Sequence, residues 1–317
     1  MMTCVLPSWL NCRMSRKVTS ENQKLTVFHE VYTPQVLSKI AERAKREQGL
    51  DPLHRLLTAA SEHRRIERVH LDRCLYFAKK GDGLDTDRLS RLRNPEDYAS
   101  WLAVRNELLV PYFFAEAFKV RIEFVRAVNR KGLGDFHIVT PERVIVEVKT
   151  PKGDEPDLHS SIEPFHEGLD TNLIESVFRD AARELDRENK NLLVICTQLC
   201  TWIDLDSFEV YFYGQEMFNR TKTIFVPDGK LNKPRNRDRG KWFRRISAIG
   251  SFNNAHYCSF PFSEEVQQVQ FTLLHNYHAL CPISPNLFSE VEQFIPDRKK
   301  GSIEHINKEK NAVLIEG

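Results

Sequence analysis

The sequence lacks the features of three large classes of protein. Its seven cysteines include no Cys-x-x-Cys pair, so a disulfide framework is not expected and a reducing compartment, the cytoplasm, fits better. It has no apolar run of the roughly 20 residues that a membrane-spanning helix needs; the run at 191–203 is too short. Neither sign of charge dominates, because 46 basic and 44 acidic side chains give a formal net charge of +2. Any contact with nucleic acid must therefore come from a local basic patch.

What the sequence does contain is enough hydrophobic residues, 41% of 317, to build a real core. Residues 1–30 are expected to be a disordered or loosely ordered start, without the basic region that a signal peptide carries ahead of its apolar stretch. Residues 31–93 predict a polar helical region, 94–294 the main domain, and 295–317 a charged tail.

A helix opens the main domain. Asn94 as the capping side chain, Pro95 at the first helical position and Asp97 three residues on predict that the helix starts there and runs toward Phe118. A kink is expected at Pro111.

Strands and a second long helix follow. Alternating apolar residues predict strands at 120–125, 135–139 and 143–149, and one apolar stripe predicts a helix over 170–186. The apolar run at 191–197 predicts a buried strand that is parallel to a neighbour, because a helix crosses over between them. Further strands are expected at 208–213, 222–226, 246–251 and 266–274.

Three charged side chains are expected to meet near the end of the third strand. Glu147 and Lys149 share one face of that strand, whereas Val144, Val146 and Val148 share the other, which packs inward. Asp135 begins the preceding strand, and a short turn can return the chain in a hairpin. Two carboxylates beside an ammonium suit a hard divalent cation such as Mg²⁺, which takes oxygen ligands and keeps waters for a substrate phosphate.

Gly134-Asp135, eleven intervening residues and then Glu147-Val148-Lys149 resemble the signature of the PD-(D/E)xK, or restriction-endonuclease-like, nuclease superfamily. The predicted order helix, three strands, helix, strand also resembles the core of that superfamily, over about a hundred residues. The resemblance implies that Asp135 and Glu147 bind Mg²⁺ or Mn²⁺, and that Lys149 assists the attacking water. Gly134 stands where the signature has proline, a tolerable departure because proline is no ligand.

The resemblance also implies a further catalytic and metal-binding glutamate on the first helix, which maps to Glu107. Its helical neighbours three and four residues away are apolar, and a carboxylate on an apolar stripe is costly unless it is paired or bound to metal. The alternative is that Glu107 only forms a salt bridge with a basic side chain such as Lys149.

A basic connector at 228–245 carries interleaved aromatic residues, a composition that suits phosphate contacts and base stacking. A solvated linker is the alternative. The candidate nucleic-acid-binding residues are Lys230, Lys233, Arg235, Arg237, Arg239, Lys241, Trp242, Arg244 and Arg245. Some weaker candidates are favoured as ordinary solvated surface: the basic stretch at 63–68, the acidic loop at 154–157 and Gln198. For the others a structural role is favoured: His137, the pair His275 and His278, and Cys196 with Cys200 as zinc ligands.

The expected fold is an α/β, restriction-endonuclease-like mixed sheet flanked by helices, with a helical N-terminal region and extra C-terminal strands. The expected function is an Mg²⁺-dependent nuclease acting on DNA, with RNA as a second substrate class, in restriction, defence, repair or mobile-element processing. The alternative is a catalytically silent module of the same fold that binds nucleic acid or protein. No membrane contact is expected, and a homodimer stays open.

Overall fold

The structure, a computed structural model, describes residues 25–46, 52–58, 62–94, 96–126, 132–151, 171–196, 212–213, 215–219, 222–226, 243–254, 268–276, 278–297, 302–306 and 312–314. Its helices are α1 Thr26–Val31, α2 Pro34–Arg46, α3 Pro52–Thr58, α4 Glu62–Lys80, α5 Thr86–Leu92, α6 Tyr98–Phe118 and α7 Thr171–Glu184. Its strands are β1 Arg121–Phe124, β2 Phe136–Thr140, β3 Val144–Lys149, β4 Asn191–Cys196, β5 Gln215–Asn219, β6 Lys222–Val226, β7 Ala248–Asn254, β8 Gln268–His275, β9 Glu292–Asp297, β10 Ser302–Ile306 and β11 Ala312–Leu314.

One mixed sheet organises the molecule, with strand order β1-β2-β3-β4-β7-β8-β9-β10 and with β11 paired to β8. The first three strands are antiparallel neighbours. The next two pairings, β3 with β4 and β4 with β7, are parallel. Because α7 lies between β3 and β4 in the chain, this parallel pair confirms the predicted order of helix, three strands, helix and strand.

Both faces of β3 are covered. The side chains of Val144, Val146 and Val148 join the core formed with the N-terminal helices and α6. Ile145, on the opposite face, joins a second core that includes Phe178 of α7. The expectation that only the valine face packs inward was therefore incomplete, as is usual for a strand with a parallel neighbour, since helices then cover both faces.

The N-terminal helices pack on α6 and share its core. The indole N–H of Trp101 donates to the hydroxyl of Tyr32 over 2.8 Å, and the N–H of Phe28 donates to Asp72 over 2.6 Å. The predicted helical character of 31–93 is confirmed for those of its residues that the structure describes. The start that was predicted to be disordered or loosely ordered, residues 1–30, extends too far, because α1 begins at Thr26; residues 1–24 lie outside the described ranges.

The start of α6 differs from the prediction. Its N-cap is Asp97, whose side chain accepts a hydrogen bond from the N–H of Ser100 over 2.8 Å. Asn94 instead accepts from the N–H of Glu96 over 3.1 Å in the preceding turn. Both residues are good caps, and only the path of the chain decided between them. Pro111 lies inside the continuous helix.

Two other predictions were wrong. Residues 212–213, predicted as part of a strand, form a helical turn, and the hydroxyl of Tyr213 donates to main-chain oxygens of β8 and β9. The predicted charged tail contains β10 and β11, which pair with β9 and β8. His305 of β10 stacks on Phe294 with ring centroids 4.4 Å apart, a cross-strand contact that holds the strand in place. No helix within the described residues is long and apolar enough to cross a bilayer.

Candidate active site

Asp135 lies where the regular pairing of β2 with β3 stops. The antiparallel register pairs Phe136 with Val146, and the N–H of Asp135 also donates to the oxygen of Val146, over 2.8 Å. Oδ2 of Asp135 accepts the N–H of Val148 over 2.8 Å. The Asp135 carboxylate is thus fixed against the peptide that joins Glu147 to Val148, immediately before Lys149.

Gly134 makes this arrangement possible. Its φ of 66° lies in the left-handed region, and a Cβ on it would come within 2.5 Å of the oxygen of Val146. Proline cannot adopt a positive φ. This backbone therefore requires a glycine at the position where the signature that the sequence resembles has proline. The sequence alone did not supply this reason.

Lys149 and Glu147 form an ion pair at the end of β3. The ammonium nitrogen of Lys149 lies 2.6 Å from Oε1 of Glu147 and 3.3 Å from Oε2 of Glu184, at the end of α7. Glu147 is buried, and the side chain of Lys149 is 29% exposed. Solvent can therefore reach this ion pair through the lysine.

Burial raises the pKa of Glu147; the charge of Lys149 opposes this shift, and the negative charges of Glu184 and Glu107 add to it. Burial alone would lower the pKa of Lys149, but Glu147, Glu184 and Asp135 outweigh it and raise that pKa. Asp135 and Glu107 therefore act electrostatically on the Glu147–Lys149 pair, so all four predicted site residues belong to one charged cluster.

Glu107 points into the protein, as expected of a residue on the apolar stripe of α6, but its partners are two arginines. Oε2 lies 3.0 Å from Nε of Arg88, and Oε1 lies 3.1 Å from Nη1 of Arg91. Arg88 also reaches Asp135, with 3.8 Å between Nη2 and Oδ1. The salt-bridge alternative raised for Glu107 is present here, with arginines in place of Lys149.

The donor chemistry fits a hard cation at two of the predicted ligands. No three His, Cys, Asp or Glu side chains within the described ranges are grouped to hold a metal ion. Mg²⁺, however, is commonly held by one or two carboxylates together with substrate phosphates. Asp135 and Glu147 supply two such carboxylates beside the same stretch of β3, whereas both oxygens of Glu107 are occupied by arginines.

The described part of the basic connector has structural partners. The guanidinium of Arg245 donates to the oxygens of Arg183 and Leu185 near the end of α7, at 3.3 Å each. Arg244 donates to the oxygen of His278 over 3.3 Å. Seven of the candidate nucleic-acid-binding residues lie outside the described residues: Lys230, Lys233, Arg235, Arg237, Arg239, Lys241 and Trp242.

Several of the weaker candidates have local contacts, and others lie outside the described ranges. His137 is hydrogen-bonded to the oxygen of Leu133 over 2.9 Å, and burial lowers its pKa. His275 is hydrogen-bonded to the side chain of Gln293 over 2.8 Å. Cys196 is a buried free thiol, the role that the sequence favoured for it. Cys200, Gln198 and the acidic loop 154–157 are outside the described part of the chain.

Arg91 of α5 and two further residues of the cluster were not found by reading the sequence. Arg88 lies on α5, a helix of 7 residues. Its only signal in the sequence is that it shares a helix face with the apolar Leu92, four residues on. Glu184 ends α7 and is exposed. Nothing in the local pattern distinguishes either one from an ordinary surface charge, because their partners are distant in sequence.

No protein-family model, no curated protein and no solved structure matches this chain. The case for a functional site therefore depends on the geometry and chemistry of these residues alone.

Proposed function

We propose that this protein is a metal-dependent phosphodiesterase of the PD-(D/E)xK type that cleaves DNA or RNA. One observation carries the proposal. Oδ2 of Asp135 lies 2.8 Å from the nitrogen of Val148, the residue that separates Glu147 from Lys149. Two carboxylates and an ammonium thus share one end of β3, in a chain whose order of elements, helix, three strands, helix and strand, supports the resemblance.

Asp135 and Glu147 are the residues that would hold the cation, since both offer carboxylate oxygens. A divalent cation supplies Lewis-acid polarisation of the phosphate and of the attacking water. Lys149 presents a compact positive charge beside Glu147 and can orient that water or offset charge that develops in the transition state. In this proposal Glu107 holds arginines rather than the cation.

A catalytically silent module of this fold is the second candidate. It is favoured by the observation that each predicted ligand already has a cationic partner, Arg88 for Asp135 and Lys149 for Glu147. Such pairing balances buried carboxylates without any metal. An active nuclease should therefore cleave its substrate when Mg²⁺ is added, whereas a catalytically silent module should not.

A cleavage assay separates the two candidates. Purified full chain is incubated with linear and circular DNA, single-stranded DNA and RNA, with Mg²⁺, with Mn²⁺ or with a chelator. We expect cleavage with either cation and none with the chelator. Glu147→Gln should abolish it, and Glu116→Gln, an exposed carboxylate on α6 that is 55% accessible, should cut as the wild type does. Binding without cleavage on every substrate and with both cations would favour the silent module.

A further inference from the structure

Arg88 is the most enclosed charged residue near the candidate site. Its side chain has no exposed surface, although arginine is among the residues least often fully buried. It projects from α5, whose N-cap is Asp85. A buried cation must be matched by acceptors, so its contacts show what it serves.

Each guanidinium nitrogen of Arg88 has a partner. Nε donates to Oε2 of Glu107 over 3.0 Å. Nη1 donates to the main-chain oxygens of Gly83 and Val125, over 3.0 and 3.2 Å. Nη2 donates to the main-chain oxygen of Asp135 over 3.3 Å and lies 3.8 Å from Oδ1 of the same residue. Arg88 therefore contacts both the backbone and the side chain of Asp135.

The contacts also close the connection between β1 and β2. The N–H of Val125 donates to the oxygen of Asp135 over 3.0 Å, and Arg88 binds the oxygen of both residues. The two ends of the connecting loop are thus tied to each other and to α5. Asp135 is held from the loop side by Arg88 and from the sheet side by Val148.

Only a guanidinium can make this set of contacts. Its five N–H donors lie in a rigid planar fork, so one side chain reaches carboxylate and carbonyl oxygens in several directions at once. A lysine at the same position keeps the charge but has a single nitrogen. Lysine would therefore retain charge balance while losing the fixed geometry.

We propose that Arg88 is a positioning residue of the site, which fixes the backbone and carboxylate of Asp135 against the end of β3. The N-terminal helical region then contributes to the active site itself through α5. The catalytic meaning of this inference rests on the proposed function, whereas the positioning of Asp135 can be tested without it.

The test compares Arg88→Lys and Arg88→Met with the matched control Arg91→Met in the full chain. Arg91 is bound to the same carboxylate, Glu107, but it is 27% exposed and its contacts do not include Asp135. The first readout is amide hydrogen exchange at Val148, whose N–H is held by Asp135, relative to exchange at Val194 in β4. The second readout is affinity for Mn²⁺.

Both Arg88 variants should lose protection at Val148 by at least about tenfold more than at Val194, and their Mn²⁺ affinity should fall by about 10–100-fold, as for residues that orient metal ligands. Arg91→Met should change the affinity by less than about fivefold. Where cleavage is measurable, kcat of the Arg88 variants should fall while KM for the polynucleotide stays within about twofold. The reason is that contacts with the polynucleotide are expected at the basic connector and not at Arg88.

Unchanged exchange at Val148 in a folded Arg88→Lys protein would overturn the inference, whatever the cleavage assay shows. If Arg88→Met does not fold, the double variant Arg88→Met with Glu107→Gln takes its place in the test. The double variant removes the charge on both sides of the Arg88–Glu107 ion pair. A wild type that binds no Mn²⁺ and cuts nothing would instead overturn the proposed function, and Val148 exchange would still decide the role of Arg88.

Discussion

The ammonium nitrogen of Lys149 lies 2.6 Å from Oε1 of Glu147, two positions earlier on the same face of β3. This pairing gives Glu147 a counterion in the protein alone and places the lysine beside a predicted cation ligand. In the proposed reaction the same lysine is next to the water and the phosphate. Removal of the lysine should therefore affect chemistry more than it affects cation binding.

Lys149→Ala is expected to lower the cleavage rate by about 10²–10³, the usual effect of removing one preorganised charge from a catalytic site. Mn²⁺ binding at pH 8 should persist, because Asp135 and Glu147 remain. The rate is measured under single-turnover conditions and binding by calorimetry. Lys79→Ala is the control, since this lysine is 51% exposed and pairs with Glu30 away from the site. Cleavage by Lys149→Ala at the wild-type rate would place the chemistry elsewhere.

As the pH is lowered, cation binding should be lost at a higher pH than it would be with an ordinary glutamate as the ligand. Burial raises the pKa of Glu147, and a protonated carboxyl does not bind a cation, so affinity falls as the pH drops through that raised pKa. Loss of the opposing charge in Lys149→Ala should move the midpoint to still higher pH. Loss of a like charge in Glu184→Gln should move it to lower pH. Mn²⁺ titrations between about pH 4.5 and 8.5 measure both shifts, and identical midpoints in the three proteins would contradict the coupling.

Gly134→Ala should lower the free energy of unfolding by about 1–3 kcal/mol for the positive φ, with a further loss from the contact of its Cβ with Val146. Gly132→Ala is the matched control. It also has a positive φ, 79°, but its Cβ would meet only the oxygen of Glu184, at 3.8 Å. Urea unfolding measures both changes. Equal losses in the two variants would show that the close approach to β3 carries no cost.

The basic connector should govern affinity for nucleic acid. Neutralising Arg235, Arg237 and Arg239 together is expected to weaken binding at low salt and to reduce the slope of log affinity against log salt by up to about 0.7–0.9 per lost phosphate contact. Fluorescence anisotropy at several salt concentrations measures this. A control that neutralises three exposed cations elsewhere, Lys79, Arg126 and Arg187, should leave the slope close to that of the wild type. Equal slopes in all proteins would remove the connector from the interface.

Much of the central sheet could be read from the sequence because its signals are local. Alternation in β1, β2 and β3 and the apolar stripe of α7 placed each element within a few residues of its observed bounds. The same alternation failed at 212–213 and overlooked β10. In those places contacts with residues that are distant in sequence decided the structure. A short-range pattern carries no information about such contacts.

The sequence by itself determined that Glu147 and Lys149 lie side by side, because residues two apart on a strand share a face. It also determined the order of elements that makes β3 and β4 parallel. Only the tertiary structure decided that Asp135 leaves the regular register to hold the N–H of Val148, and that Arg88 is buried against it. Those contacts join α5, the β1–β2 connection and β3, and such long-range packing is fixed only when the whole core closes around a buried charge that needs several acceptors at once.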